Sequence, residues 1–451
     1  MSARRQPGEW RGLGEALKSL RVARDFPQKE VIDRLDHELS DRTLRAYESG
    51  AERPGRDRLL RILVKAFDLK HADEINRHLS LAQYVNLRDE EIERLKLAGP
   101  VNRDAQRPDH VSLGVSTNLY RIGNQVADAI RLAGADSEFF SAEVVHVEID
   151  PTPYQMPPEI LVTRAAILDQ LKREAKEHGR MFFDGPHTRL VDFRVTPRDA
   201  TEQKHLELTL GPVDWYDYAV ANEVFAQTLR KTQVSDLGRF IDLAEVSDGR
   251  IKNVKLSNLL CIDVTIVTLD GYALYAKRGN RVSAAQGLLA SAVAENMHRS
   301  FDQSLGPPRS GLLPVPFRTA IRGLEEEISP ELVRSLNPRA LVLLGLAFNL
   351  RNLHPDLLFA AAVPFRRDEV FAMAEEHPGK DFIEATLLAV PAKLDATLEG
   401  ILSAGQWLAA GKACLIRTIE FLEATQRRLG LPLNELIGRL ARDGSDWLRT
   451  E

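Results

Sequence analysis

The run LCIDVTIVTLDGYALYAKRG, residues 260–279, leaves this chain the least freedom. Two stretches rich in β-branched and aromatic residues flank Asp270-Gly271. A two-residue hairpin loop selects that pair, because its central positions take a positive φ that Gly and Asp tolerate. Whatever fold surrounds it, this segment predicts two adjacent antiparallel strands. Its surroundings read as mixed α and β. AEVVHVEI, TRLVDFRVTP and HLELTLGP have strand character, and PEILVTRAAILDQLKREAKE has helical spacing. ALVLLGLAFNL and PDLLFAAAVP are near-continuous apolar runs, the pattern of strands buried on both faces. AGKACLIRTIEFLEATQRRL and LNELIGRLARDGSDWLR predict helices at the end of the sequence.

A length of 451 residues exceeds one small core and predicts two or three domains. With 44% hydrophobic and 28% charged residues, the chain can bury sizeable cores. The formal charge of -5 excludes a uniformly basic coat for nucleic acid but leaves room for one basic module. The first 80 residues carry 17 Lys and Arg against 14 Asp and Glu, so the mildly positive part lies at the front and the rest is acidic. Cys261 and Cys414 are the two cysteines, each inside an apolar run, and read as reduced core residues. No stretch approaches the roughly 18 apolar residues of a membrane helix, and MSARRQPGEW lacks the apolar centre of a signal peptide. A cytoplasmic chain is expected.

Near the front, Leu13, Leu17 and Leu20 recur at helical spacing. A second helix starts near Pro27, with Val31, Ile32 and Leu35 inward, and Ser40 is a good N-cap for a third that buries Leu44 and Tyr47. A fourth, DRLLRILVKAFDL, buries Leu59, Ile62, Leu63, Ala66 and Phe67. FPQKEVIDRL, LSDRTLRAYESGAERP and LLRILVKAFDL together resemble the helix-turn-helix domain of the XRE/Cro-repressor family over residues 13–69. The turn DHEL is about two residues longer than that family's usual glycine turn. The resemblance implies that the third helix enters the major groove with Ser40, Asp41, Arg42, Thr43 and Arg45, while Gln28 and Arg53 meet the backbone. Arginine suits guanine and threonine suits a thymine methyl. A homodimer on a near-palindromic double-stranded operator follows from the same resemblance.

After the hairpin comes RTAIRGLEEEISPE, residues 318–331. Phe317, Ala320, Ile321, Leu324 and Ile328 form an apolar stripe, and Glu325, Glu326 and Glu327 fall largely off it. Arg322 and Glu326 stand at i,i+4 spacing and can pair. Hairpin, loop and glutamate-ended helix, in that order, resemble the Nudix fold. That resemblance implies glutamates Glu326 and Glu327 holding Mg2+ against a diphosphate. RGLEEE departs from the family box: Gly323 replaces a glutamate, and Pro314 and Pro308 stand at the upstream glutamate and glycine positions. Glu295 is a stand-in ligand, and His298 lies three residues from it. Trp215, Tyr216 and Tyr218 suggest core or the wall of a pocket.

The expected fold is therefore multidomain: an all-α helix-turn-helix DNA-binding domain at 11–80, a connecting helix and linker at 81–112, an α/β elaboration at 113–250, an α+β Nudix-like body at 251–425 and a C-terminal helix at 426–451. The expected function is a DNA-binding transcriptional regulator whose Nudix-like domain is non-catalytic and senses a nucleotide-derived ligand or makes contacts. The alternatives are a Mg2+-dependent Nudix hydrolase with an autoregulatory head, and a component of a defence or toxin-antitoxin system.

Overall fold

The computed structural model describes residues 10–24, 26–35, 40–51, 54, 59, 62–67, 69 and 78–81, and then 113–448 apart from 116, 135–137, 178–181, 183, 199–202, 233, 279–286, 304–312, 378–384, 405 and 446–447. The chain divides into two compact units, Met1–Gln106 and Arg107–Glu451. The connecting helix and linker expected at 81–112 lie almost wholly outside the described residues.

In the first unit, α1 spans Arg11–Ala23, α2 Gln28–Arg34 and α3 Asp41–Glu48. Leu13, Leu17, Val31, Ile32, Leu35, Leu44, Tyr47, Leu59, Ile62, Leu63, Ala66 and Phe67 are buried in one cluster, so the apolar spacing of the sequence does define a core here. Where a fourth helix was expected, the described residues give a π-helical turn at Ile62–Ala66. These three helices, that turn and a helical stretch at 78–81 do not amount to the complete all-α helix-turn-helix domain of the sequence reading, and the α2–α3 turn at 36–39 falls outside the described residues.

The second unit corrects the expected fold class further. It is not an α+β body with an elaboration in front of it. Its main sheet is mixed and nine-stranded and curves into a half-barrel. The order is β1 (Leu119–Ile122), β2 (Gln125–Ala133), β10 (Leu341–Asn349), β11 (His354–Ala362), β6 (Cys261–Val267), β7 (Tyr272–Arg278) and β12 (Ala385–Pro391). β1 and β2 come from the segment read as an elaboration, and β2 pairs with β10. A separate three-stranded sheet holds β3 (Val145–Ile149), β5 (Gln203–Asp214) and β4 (Pro186–Arg198) in that order. Both sheets contain a parallel pair, β11 with β6 and β3 with β5. All nine residues of β10 and of β11 are buried. Strands of that kind need cover on both faces, which an antiparallel sheet with helices to one side does not give.

The hairpin forms, but through a three-residue loop, Leu269–Gly271, closed by Thr268 N donating to Tyr272 O at 2.9 Å; Gly271 takes φ +79 and Asp270 keeps a negative φ. Its strands pair only at Ile266–Leu274 and Val267–Ala273 before they part. β8 (Leu289–Ser291) then takes the edge of β7, and β9 (Val293–Asn296) takes the edge of β6. α4 (Val315–Glu327) sets Phe317 edge-on to Phe359 of β11, with ring centroids 5.1 Å apart. α5 (Ala409–Leu429) covers the opposite side, where the Cys414 thiol donates to the Asp263 carbonyl and accepts from the Thr265 hydroxyl.

One fully buried charge ties α5 to the sheet. The register of β10 against β11 slips between Leu343 and Gly345, which takes the Leu344 carbonyl out of the ladder. Gly134, at φ +84, lies so close that a side chain there would strike this carbonyl at 2.1 Å. Arg417 Nε donates to Leu344 O at 3.0 Å, and Nη2 donates to Glu138 O. Replacing it strands the Leu344 carbonyl in the interior and takes a donor from the part-buried Glu138 carbonyl. Arg417→Met is expected to lower stability by about 2–4 kcal/mol, read as a lower urea midpoint; an unchanged midpoint would show that the bulge does not need the guanidinium.

Candidate functional site

In the first unit, the N-terminal turn of α3 gathers five of the residues singled out in the sequence. Ser40 Oγ accepts from Thr43 N at 3.2 Å and so caps the helix. Ser40, Asp41, Arg42 and Arg45 are exposed, and Thr43 is half-buried. Arg45 pairs with Asp41 at 3.0 Å, an open i,i+4 contact of little energetic weight. Gln28 behaves differently from the expectation of a phosphate contact. Its amide donates to Glu48 Oε2 at 2.7 Å. Arg21 grips the same carboxylate at 2.6 and 3.2 Å and donates to Phe26 O. One buried carboxylate thus fixes α1, the start of α2 and the end of α3. Arg53 lies outside the described residues.

In the second unit, α4 presents RGLEEE to β9. Gly323 faces the strand so closely that a Cβ would stand 2.6 Å from Val293 Cγ1 and 2.9 Å from Glu295 Cγ. A glutamate cannot occupy that place without lifting the helix, which is the physical reason for the glycine. Arg322 lies amid the neighbouring carboxylates: 3.0 Å from Asp302 Oδ1, 3.0 Å from Glu295 Oε2 and 3.0 Å from Glu326 Oε2. The position a divalent cation would take among these acids is filled by a guanidinium. Glu326 is exposed, whereas Glu327 turns to the β9 backbone and accepts from Ala294 N at 3.3 Å. The two glutamates do not converge. Burial, with Glu295 nearby, pushes the Glu327 carboxyl well above its ordinary range.

His298 does not join Glu295. Its ring packs on Phe301 at 4.4 Å and against His187 at 5.1 Å. From His187 an aromatic series continues through Trp215 and Tyr218 to His354, in steps of 5.6, 5.2 and 5.5 Å. Tyr218 is buried with Val213 and Leu259, and Tyr216 stacks on Phe182.

That series ends at a cluster the sequence reading missed. His354 and Asp356 are two apart on β11 and share a face; Cys261 on β6 is the register partner of Asp356. The Cys261, His354 and Asp356 donor atoms lie within 4.8 Å of one another, the convergent His/Cys/Asp/Glu group found among the described residues. His354 Nε2 stands 3.3 Å from Asp356 Oδ1, and the two side chains are only 6% and 2% exposed. His354 Nδ1 and Asp356 Oδ2 are buried with no hydrogen-bond partner. Cys261 Sγ donates to Asn296 Oδ1 at 2.8 Å. Behind it, Asp263 accepts from the Ser291 hydroxyl, and burial beside Asp356 pushes its carboxyl up to about 8. Burial raises Glu223, on the π-helical turn Ala219–Ala226, to about 7, against the pull of His354. Burial and the Asp356 and Asp263 charges also push the Cys261 thiol well up, so it is no ready nucleophile. One signal was present in the sequence: a His-x-Asp pair opening an otherwise apolar strand.

No protein-family model matches this chain, and no curated protein does. Among the described residues, no helix is long and apolar enough to cross a membrane.

The state of Glu327 separates a metal ligand from a buried acid. With its carboxyl raised, the folded chain favours the proton, so stability is greatest below the ordinary carboxylate range and declines as pH climbs toward the folded value. Glu327→Gln keeps an acceptor for Ala294 N and removes the charge. It is expected to raise the thermal midpoint at neutral pH by roughly 2 °C, an advantage that shrinks as the solution is acidified. A lower midpoint at neutral pH would mean that the charge itself is used.

Proposed function

We propose that this chain is a DNA-binding transcriptional regulator whose second unit binds a ligand without turning it over. The observation that carries the first half is the exposed N-terminal turn of α3. Arg42 and Arg45 face solvent there, on a helix held by the Ser40 cap and the buried Arg21–Glu48–Gln28 contact. A capped helix end with exposed arginines suits the major groove of double-stranded DNA. The positive balance of the first 80 residues supports the same reading. A single short helix reads few bases, so two copies on two half-sites belong to the proposal.

Arg322 supports the second half. A guanidinium amid Glu295, Asp302 and Glu326 disfavours Mg2+ between them, which weighs against the hydrolase alternative. A nucleotide-derived ligand remains part of this reading, as the class that the resemblance of the hairpin and helix suggested.

The test is a mobility shift at moderate salt with DNA from upstream of the chain's own gene. Arg42→Ala and Arg45→Ala are each expected to weaken selective binding by about 10- to 100-fold. Asp41→Ala, which releases Arg45, is expected to strengthen binding. Failure of the wild type to prefer this DNA over a scrambled duplex overturns the proposal. Mg2+-dependent phosphate release from a nucleoside diphosphate panel, lost in Glu326→Gln, would overturn its non-catalytic half.

A further inference from the structure

We infer that Cys261, His354 and Asp356 form a binding site for one divalent transition metal ion of the zinc class. The site is independent of DNA binding and of the α4 glutamates. It is built by the sheet, not by a loop. β11 places His354 and Asp356 on one face, and the parallel register sets Cys261 directly across from Asp356.

The spacing fits a metal. Two ligand atoms, each about 2.0–2.1 Å from zinc at a tetrahedral angle, stand about 3.3 Å apart. His354 Nε2 and Asp356 Oδ1 are 3.3 Å apart, and all three donor atoms fall within 4.8 Å. The carboxylate points the same way. Asp356 is 2% exposed, and its Oδ2 has no hydrogen-bond partner. Buried carboxylate oxygens are nearly always satisfied, so this one, beside His354 Nε2, asks for a ligand.

Binding would release the Cys261 proton to solvent as the Sγ–metal bond forms. Thiolate with imidazole and one carboxylate is a borderline donor set, suited to Zn2+ or Co2+ and poorly suited to Mg2+. Three protein ligands leave a fourth position for water or for a carboxylate such as Glu223.

Cobalt is the probe, because a Co2+–thiolate bond gives a charge-transfer absorption band that carboxylate or imidazole sites lack. The full chain, stripped with chelator and reduced, is titrated with Co2+. The expected result is one equivalent per chain, a thiolate band, loss of the band on adding Zn2+, and no loss with excess Mg2+. The two cysteines make the assignment sharp: Cys261→Ser should lose the band and Cys414→Ser should keep it. Asp356→Asn should weaken binding at least tenfold. Zn2+ should raise the thermal midpoint of the wild type and leave that of Cys261→Ser unchanged. Should Cys261→Ser fold poorly, His354→Gln is read in the same two assays. No band and no retained metal in the wild type, or a band that follows Cys414, overturns the inference. Neither outcome touches the DNA-binding reading, which the mobility shift decides separately.

Discussion

The parallel pairing of β11 with β6 is the constraint on which the second unit turns. Each strand is buried along most of its length, and together they form the middle of the sheet. Parallel partners cannot be joined by a tight turn, so the chain must travel far between them. Here that journey carries the partner strand β7, the edge strands β8 and β9, the helix α4 and the whole of β10. α4 reaches one face of the pair through Phe317 and Phe359, and α5 reaches the other through Cys414. The register also decides which side chains meet: a slip of one residue would send Cys261 and Asp356 to opposite faces.

What the sequence disclosed followed the strength of local rules. The Asp270-Gly271 hairpin, the buried runs of β10 and β11, and the inward positions of α1 to α3 rest on turn chemistry and periodicity, and the structure has them. What escaped was non-local. Nothing in QVADAIRLA announces a partner more than two hundred residues away, yet β2 pairs with β10. The hairpin was legible but its opening was not, because β8 and β9 are only three and four residues long. The same limit hid the Cys-His-Asp cluster. Cys261 sits in an apolar run and reads as core until β11 is laid beside it.

The glycine in RGLEEE shows the reverse relation. In the sequence, Gly323 is a missing ligand. In the fold it is a contact, the point where α4 comes against Val293 and Glu295. Arg322 then gathers the acids around it, and Glu327 turns away. The stretch serves the packing of helix on sheet, and the chemistry-bearing donors gather on another face, at Cys261.

Arg417 gives the fold an order in time. It belongs to α5, late in the chain, yet it satisfies a carbonyl in β10 and another at Glu138, far earlier. During synthesis one face of β6 and β11 stands open to water until that helix has emerged, and the Leu344 carbonyl is bonded by solvent in the meantime. The first unit has its own core and faces no such wait. A nascent chain would therefore hold its front core together while the sheet of its body still lacked its last cover.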